Sequence, residues 1–314
     1  MTSKASRVSA SGRRAIVLLG FLSALSACER TSEPRPLNPR PDTVLRVYTV
    51  NYPVAWFAQR IGGEHVQVSF PAPAGVDPAF WQPAPETILD YQQSDLVLLN
   101  GAGYAAWLSR AALRADRLID TSALFSDRLI SVAGAVRHKH GPEGQHSHGD
   151  IAFTTWLDPE LAALQAEAIL AALLRSRPQH EAAFTRGYEA LLADLRALDR
   201  ALADAFDLPA GTTIVFSHPV YQYLENKYDL EGHTVTWEPS EALTPGDLQP
   251  LAGIRGPGVN LVIWEGEPLA ANREALAAMG YTSVVFDPAA NRSAARDYLQ
   301  TMTANARRLQ EIRR

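Results

Sequence analysis

"VLRVYTVNYPVAWFAQRIGGEHVQVSF", residues 44–70, decides the fold. Its two ends, 44–50 and 66–70, are rich in Val, Tyr, Thr and Phe and read as strands. The stretch between them, 53–63, reads as a helix that a glycine pair closes. A strand, a helix and a second strand at this spacing form a βαβ unit, whose strands run parallel. The pattern continues outward. Residues 83–94 read as a helix, 95–100 ("DLVLLN") as a buried strand, and "YAAWLSRAAL" after Gly103 as another helix. In the second half "TIVFS" (213–217), "HTVTW" (233–237), "NLVIW" (260–264) and "TSVVF" (282–286) read as strands, with crossover helices or turns between them.

Two segments organise the middle of the chain. In "WLDPELAALQAEAI" Asp158 is an N-cap, Pro159 suits the first helical position and Glu160 favours the positive helix end. From Pro178, the residues Phe184, Tyr188, Leu191, Leu195, Leu198, Leu202 and Phe206 recur at steps of three or four and make one apolar stripe. A helix over 178–206 is about 43 Å long, more than one small lobe needs, so it is expected to run across two. The fold expected is α/β, two lobes with mainly parallel sheets joined by a long rigid helix. The ligand belongs where strand ends meet between the lobes.

The first residues read as an export signal. Lys4, Arg7, Arg13 and Arg14 precede the apolar run 15–25, which is too short to span a membrane. Leu25-Ser26-Ala27-Cys28 resembles a bacterial lipobox, with Cys28 as the lipidated residue. Cys28 is the only cysteine, which excludes an intramolecular disulfide and a thiolate metal cluster. Four prolines in 29–43 read as an extended tether. The expected organisation is a signal peptide over 1–27, a tether over 28–43, an N-terminal lobe over 44–177, the linking helix over 178–206 and a C-terminal lobe over 207–314. Removing the four positive charges of 1–27 takes the net charge from −5 to −9. An acidic body argues against nucleic acid and mildly favours cationic ligands.

"HKHGPEGQHSHGD", 138–150, holds four of the eight histidines: His138, His140, His146 and His148. It has no apolar periodicity and reads as a mobile surface loop. Imidazoles at i, i+2 spacing bind zinc or copper weakly on almost any backbone, so these four are expected to collect metal. Enzyme signatures are lacking. Ser217 and His218 are neighbours on a strand and point to opposite faces, so they are no nucleophile–base pair. There is no HExxH, GxGxxG or G-x-S-x-G.

The lipobox, "GVDPAFWQPAPETILDYQQSDLVLLNGAGY", the histidine stretch, "WLDPELAALQAEAI", "IVFSHPVYQYLENKYDL" and "FDPAANRSAARDYLQTM" together resemble the zinc and manganese solute-receptor lipoproteins of bacterial ABC transporters. The resemblance covers nearly all of the mature chain and points to a divergent subfamily. It implies two lobes on a rigid helix with one metal ion in the cleft, a periplasmic lipid-anchored monomer, and an ABC permease as partner. It also implies His218 and Asp287 as ligands. Two usual ligand histidines are absent, replaced by Ala79 and Thr154. Alanine cannot coordinate, and threonine is a poor ligand for zinc. His146 or His148 folding back, or His233, Glu238, Glu241 or Glu265, are the candidate replacements. Zinc is the expected metal, with manganese, nickel and copper as alternatives; manganese would want more oxygen ligands. The alternative function is a metal-buffering or metallochaperone lipoprotein that binds through the loop. Trp81, Trp107, Trp156, Trp237 and Trp264 read first as core packing, and second as a wall for an organic or chelated ligand. His65 and His180 read as solvated.

Overall fold

The computed structural model describes residues 44–132, 137–139, 145–147 and 151–312. The signal peptide, Cys28, the tether, His140 and His148 lie outside them. In the N-terminal lobe the chain forms β1 (Leu45–Thr49), α1 (Tyr52–Gly62), β2 (Val66–Ser69), α2 (Pro85–Gln93), β3 (Leu96–Leu99) and β4 (Leu118–Asp120). These strands make one parallel sheet in the order β2-β1-β3-β4. The βαβ unit of 44–70 is present as expected. Asn51 caps α1, its side chain accepting from Val54 N at 3.1 Å, and Pro53 sits in the first turn.

The structure departs from the sequence reading in two places and adds one strand to it. "YAAWLSRAAL" forms only a 3₁₀ turn, Ala106–Arg110. Gly101, Ala102, Gly103 and Ala105 all have positive φ just before it, so the chain turns too sharply to enter an α-helix there. The strand β4 carried too little periodicity to be read. The histidine stretch contains β5 (Arg137–Lys139) and β6 (Gln145–Ser147), antiparallel, with His138 in register opposite His146.

α3 (Pro159–Ser176) begins at Asp158, whose carboxylate accepts from Glu160 N at 2.8 Å. After a 3₁₀ turn at Pro178–His180, α4 (Glu181–Phe206) runs 26 residues, about 39 Å. Its stripe is buried at Phe184, Leu191, Leu195, Leu198, Leu202 and Phe206 and packs on α1 and α3. At Gly187 the backbone of Arg60 and Ile61 comes so close that a Cβ would overlap it. Truncating one such core leucine to alanine costs about 2–5 kcal/mol.

The C-terminal lobe repeats the plan with β7 (Thr213–Phe216), α5 (Gln222–Tyr228), β8 (Gly232–Thr234), α6 (Pro245–Leu248), α7 (Leu251–Ile254), β9 (Asn260–Trp264), α8 (Ala270–Ala278) and β10 (Thr282–Val285). The sheet is again parallel, in the order β8-β7-β9-β10. The ladder of β8 ends at Thr234, although Val235 N and Trp237 N still donate to Phe216 O and Ser217 O. Finally α9 (Tyr298–Ile312) lies along α4 and touches α1, with the Tyr298 ring edge-on to Phe57. The molecule is therefore two parallel-sheet α/β lobes with one long helix packed along the core.

Between the lobes an ionic cluster joins α3, α4 and α5. Lys227 Nζ lies 3.1 Å from Glu160, 3.7 Å from Asp199 and 3.9 Å from buried Asp158. Arg128 completes it against Glu160 at 2.9 Å. Among the described residues no helix is long and apolar enough to cross a membrane.

Candidate metal centre

In parallel α/β sheets the loops that follow the strands' C-terminal ends form the ligand crevice. Along that edge of the C-terminal lobe, three chemistry-bearing side chains follow three neighbouring strands. His218 comes two residues after β7, Glu265 one after β9, and Asp287 two after β10. Backbone bonds hold the edge in register: Ser217 N donates to Ile263 O and Phe286 N to Trp264 O. The amide of Glu265 also donates to Ser217 Oγ at 3.3 Å.

His218 is 1% exposed. Its Nδ1 lies 3.9 Å from Glu265 Oε1. Burial pushes the Asp287 carboxyl above the usual aspartate range, against the pull of the Ala289 amide, Arg308 and Arg296. Beneath this edge Tyr221 donates to Phe286 O at 2.8 Å. Burial holds its phenol well above the usual range, and the carboxylates of Glu265 and Asp287 push the same way. Tyr221 therefore stays neutral. Glu238 follows Trp237, whose amide pairs with Ser217, on the β8 side of the same edge. His233 is exposed on β8, an edge strand.

The N-terminal lobe carries other chemistry. Ala79 is buried, its amide donating to Asp77 Oδ1 at 2.9 Å. Thr154 is also buried and donates to Val220 O at 2.6 Å. Tyr104, 4% exposed, packs edge-on against Phe153 and Trp156, and Phe153 meets Phe80 in turn. Behind them Asn51 Nδ2 donates to Asn100 Oδ1 at 2.9 Å, and Asn100 Nδ2 to Phe153 O at 2.8 Å. Among the described residues no three His, Cys, Asp or Glu side chains converge closely enough to hold one ion. The structure brings His218 and Glu265 together and sets Asp287 on the next strand end but one from His218.

Other expected candidates have different places. His138 and His146 lie on the paired strands β5 and β6. Trp107, Trp156, Trp237 and Trp264 are buried in the cores and Trp81 is half-buried, which agrees with packing rather than a ligand wall. His65 and His180 are not simply solvated. Their rings stack at 3.9 Å, with Phe184 edge-on to both, because the turn before α4 folds back onto the end of α1. The reading of residues missed Tyr221 and the Asn51–Asn100 pair. Their signal was available, since both asparagines stand directly after apolar strand runs.

The family model "Zinc-uptake complex component A periplasmic" (ZnuA) matches residues 47–312. The chain belongs to the ZnuA family. Relatives are metal-binding lipoproteins that serve as substrate-binding components of ABC transporters. The chain is 26% identical over 194 residues to the zinc-binding lipoprotein AdcA of Streptococcus pneumoniae. That match covers 60% of this chain and only 38% of AdcA. It is 24% identical over 228 residues to the manganese ABC transporter substrate-binding lipoprotein PsaA of the same species, covering 71% of this chain and 70% of PsaA. Among solved structures, the Zn(II)-bound ZnuA-like domain of Streptococcus pneumoniae AdcA superposes with a TM-score of 0.72 at 19% identity. The superposition covers 86% of this chain and 98% of that one, and it speaks to the fold. The ZnuA-like fold thus has two lobes of the kind read from 44–70.

Proposed function

We propose that the protein is an extracytoplasmic solute-binding lipoprotein, anchored through Cys28, that captures a divalent metal ion and passes it to an ABC permease. Zinc is the first choice of cargo. The observation that carries this reading is the buried His218 facing Glu265 across 3.9 Å at the C-terminal ends of β7 and β9. Two donors of a tetrahedral zinc ion stand about 3.3 Å apart when each bond is about 2.0–2.1 Å. The pair therefore needs to close by roughly half an ångström to share an ion. Asp287 is the next donor, with Glu238 or the histidines at 146 and 148 completing the set. One imidazole with carboxylates suits zinc, and each added carboxylate shifts the preference toward manganese. The protein acts as a monomer without nucleic acid.

A second reading has its own support. No three donors converge among the described residues, and the paired strands set His138 opposite His146. On that reading the histidine stretch itself buffers metal. The deciding experiment is a competitive zinc titration of the full chain with His138, His140, His146 and His148 all changed to Asn. One tight zinc per chain, lost on adding His218→Ala, is the expected result. Loss of tight zinc with His218 intact would overturn a set completed by Glu238, and tight zinc retained in His218→Ala with the four histidines in place would overturn the cleft in favour of the stretch.

A further inference from the structure

Thr154 stands where the family resemblance implies a ligand histidine, yet its side chain is already engaged. Its hydroxyl donates to Val220 O at 2.6 Å, across from the N-terminal to the C-terminal lobe. Val220 N in turn donates to His218 O at 2.9 Å. Three residues further on, Tyr223, 1% exposed, makes two more bonds across the same seam. Its hydroxyl accepts from Ile130 N at 3.2 Å and donates to Ala152 O at 3.0 Å. Ala152 N closes the strip by donating to Ile130 O at 2.9 Å. Pro219 and Gln222 line the adjoining crevice with Ile151, Phe153 and Thr154. The segment 218–223 is thus sewn to the N-terminal lobe at two points, one of them two residues from the imidazole.

We propose that Thr154 is a positioning residue for His218: with Tyr223 as second anchor, its hydroxyl fixes the 218–223 turn against the N-terminal lobe, so that the imidazole is aimed before metal arrives. The N-terminal lobe then serves the site by orientation, where a ligand histidine at this position would serve it by coordination. Groups that orient a metal-bound histidine change affinity by about 10–100-fold when removed. The inference rests on His218 being a metal ligand.

The test uses the full chain, zinc against a competing chelator, and the imidazole ¹⁵N resonances of His218 in the metal-free protein. Thr154→Val is expected to weaken tight zinc about tenfold and to shift those resonances, while Thr154→Ser, which keeps the hydroxyl, restores both. A purely structural role would lower thermal stability without that pattern of rescue. Unchanged zinc affinity in Thr154→Val, with tight zinc lost in His218→Ala, would overturn the positioning role alone. Equal loss in Thr154→Val and Thr154→Ser would do the same. If His218→Ala binds as the unaltered chain does, the ligand reading falls. The positioning role then falls with it, whatever the metal-free resonances do.

Discussion

In the N-terminal lobe the residue two past β1 is Asn51 and the residue one past β3 is Asn100; in the C-terminal lobe the same two places, past β7 and β9, hold His218 and Glu265. Both sheets run in the order second, first, third, fourth strand, and each pair flanks the point where that order reverses. This is the place in an open α/β sheet where ligands bind. The asparagines are joined at 2.9 Å, and Gln165 Nε2 adds a bond to Asn100 Oδ1 at 3.2 Å. Gln165 also reaches Thr121 Oγ1 at 3.0 Å. The N-terminal pair is closed on itself, neutral and inert to pH. His218 and Glu265 stand 3.9 Å apart, beyond hydrogen-bond length, and both carry chemistry that a cation wants. One topological position serves internal cohesion in one lobe and, in the function proposed above, ligand capture in the other.

The sharpest way to break this division is to truncate one member of each pair. His218→Ala should weaken tight zinc by about a hundredfold, or about 2.7 kcal/mol, apart from the stability that removing a buried ring takes from the metal-free protein. Competitive titration and a melting curve on the same sample check both halves. Asn100→Ala should do the reverse. It strands Asn51 and Gln165 and releases Phe153 O, so the loss of stability should be about 2 kcal/mol. Zinc affinity should change little. An Asn100→Ala protein that melts normally but no longer binds would erase the contrast between the lobes.

Glu265→Gln sharpens the contrast on the C-terminal side. The amide keeps the shape and one carbonyl oxygen but removes the charge of a donor, so zinc should weaken by about tenfold or more. An unchanged affinity would leave Glu265 outside the site and make Asp287 the principal carboxylate.

The uneven legibility of the molecule follows from the same contrast. The two sheets were readable because β3 and β9 are continuous apolar runs buried on both faces, as parallel strands are. Helix α4 was readable because its stripe repeats over seven turns, and α3 because Asp158, Pro159 and Glu160 mark its start. The candidate site was half readable. His218 and Asp287 stand out by resemblance, and Glu265 by its place at a strand end. What sequence alone did not carry was the pairing: that Asn51 would find Asn100 across 49 residues, or that Thr154 would reach Val220 across 66. Such contacts depend on how crossovers pack, and no local periodicity records them. The 3₁₀ turn at Ala106–Arg110 escaped for a related reason, since its composition is helical and only the run of positive φ before it forbids the helix.

The smallest expected effect uses pH, which should act on one of these two surfaces and spare the other. The Asn51–Asn100–Gln165 network does not titrate. On α5, five residues after Val220, burial pushes the Glu225 carboxyl from 4.5 up to about 7. A folded-state value above the unfolded one means that the proton is held more tightly in the native protein. Its contribution to stability is therefore fully present below the ordinary glutamate range and is lost as pH rises through about 7. Glu225→Gln keeps the neutral form at every pH. At pH 5 it should change the melting temperature slightly, and at pH 8 it should stabilise the protein by about 1 kcal/mol, since solvent screening takes up much of the shift. Melting curves of both proteins from pH 5 to 8 should converge at the acid end and separate at the alkaline end. Parallel curves would move the pH dependence away from α5. The same scan on Asn100→Ala should displace the curve downward without changing its slope, because the bonds it removes carry no proton that pH can reach.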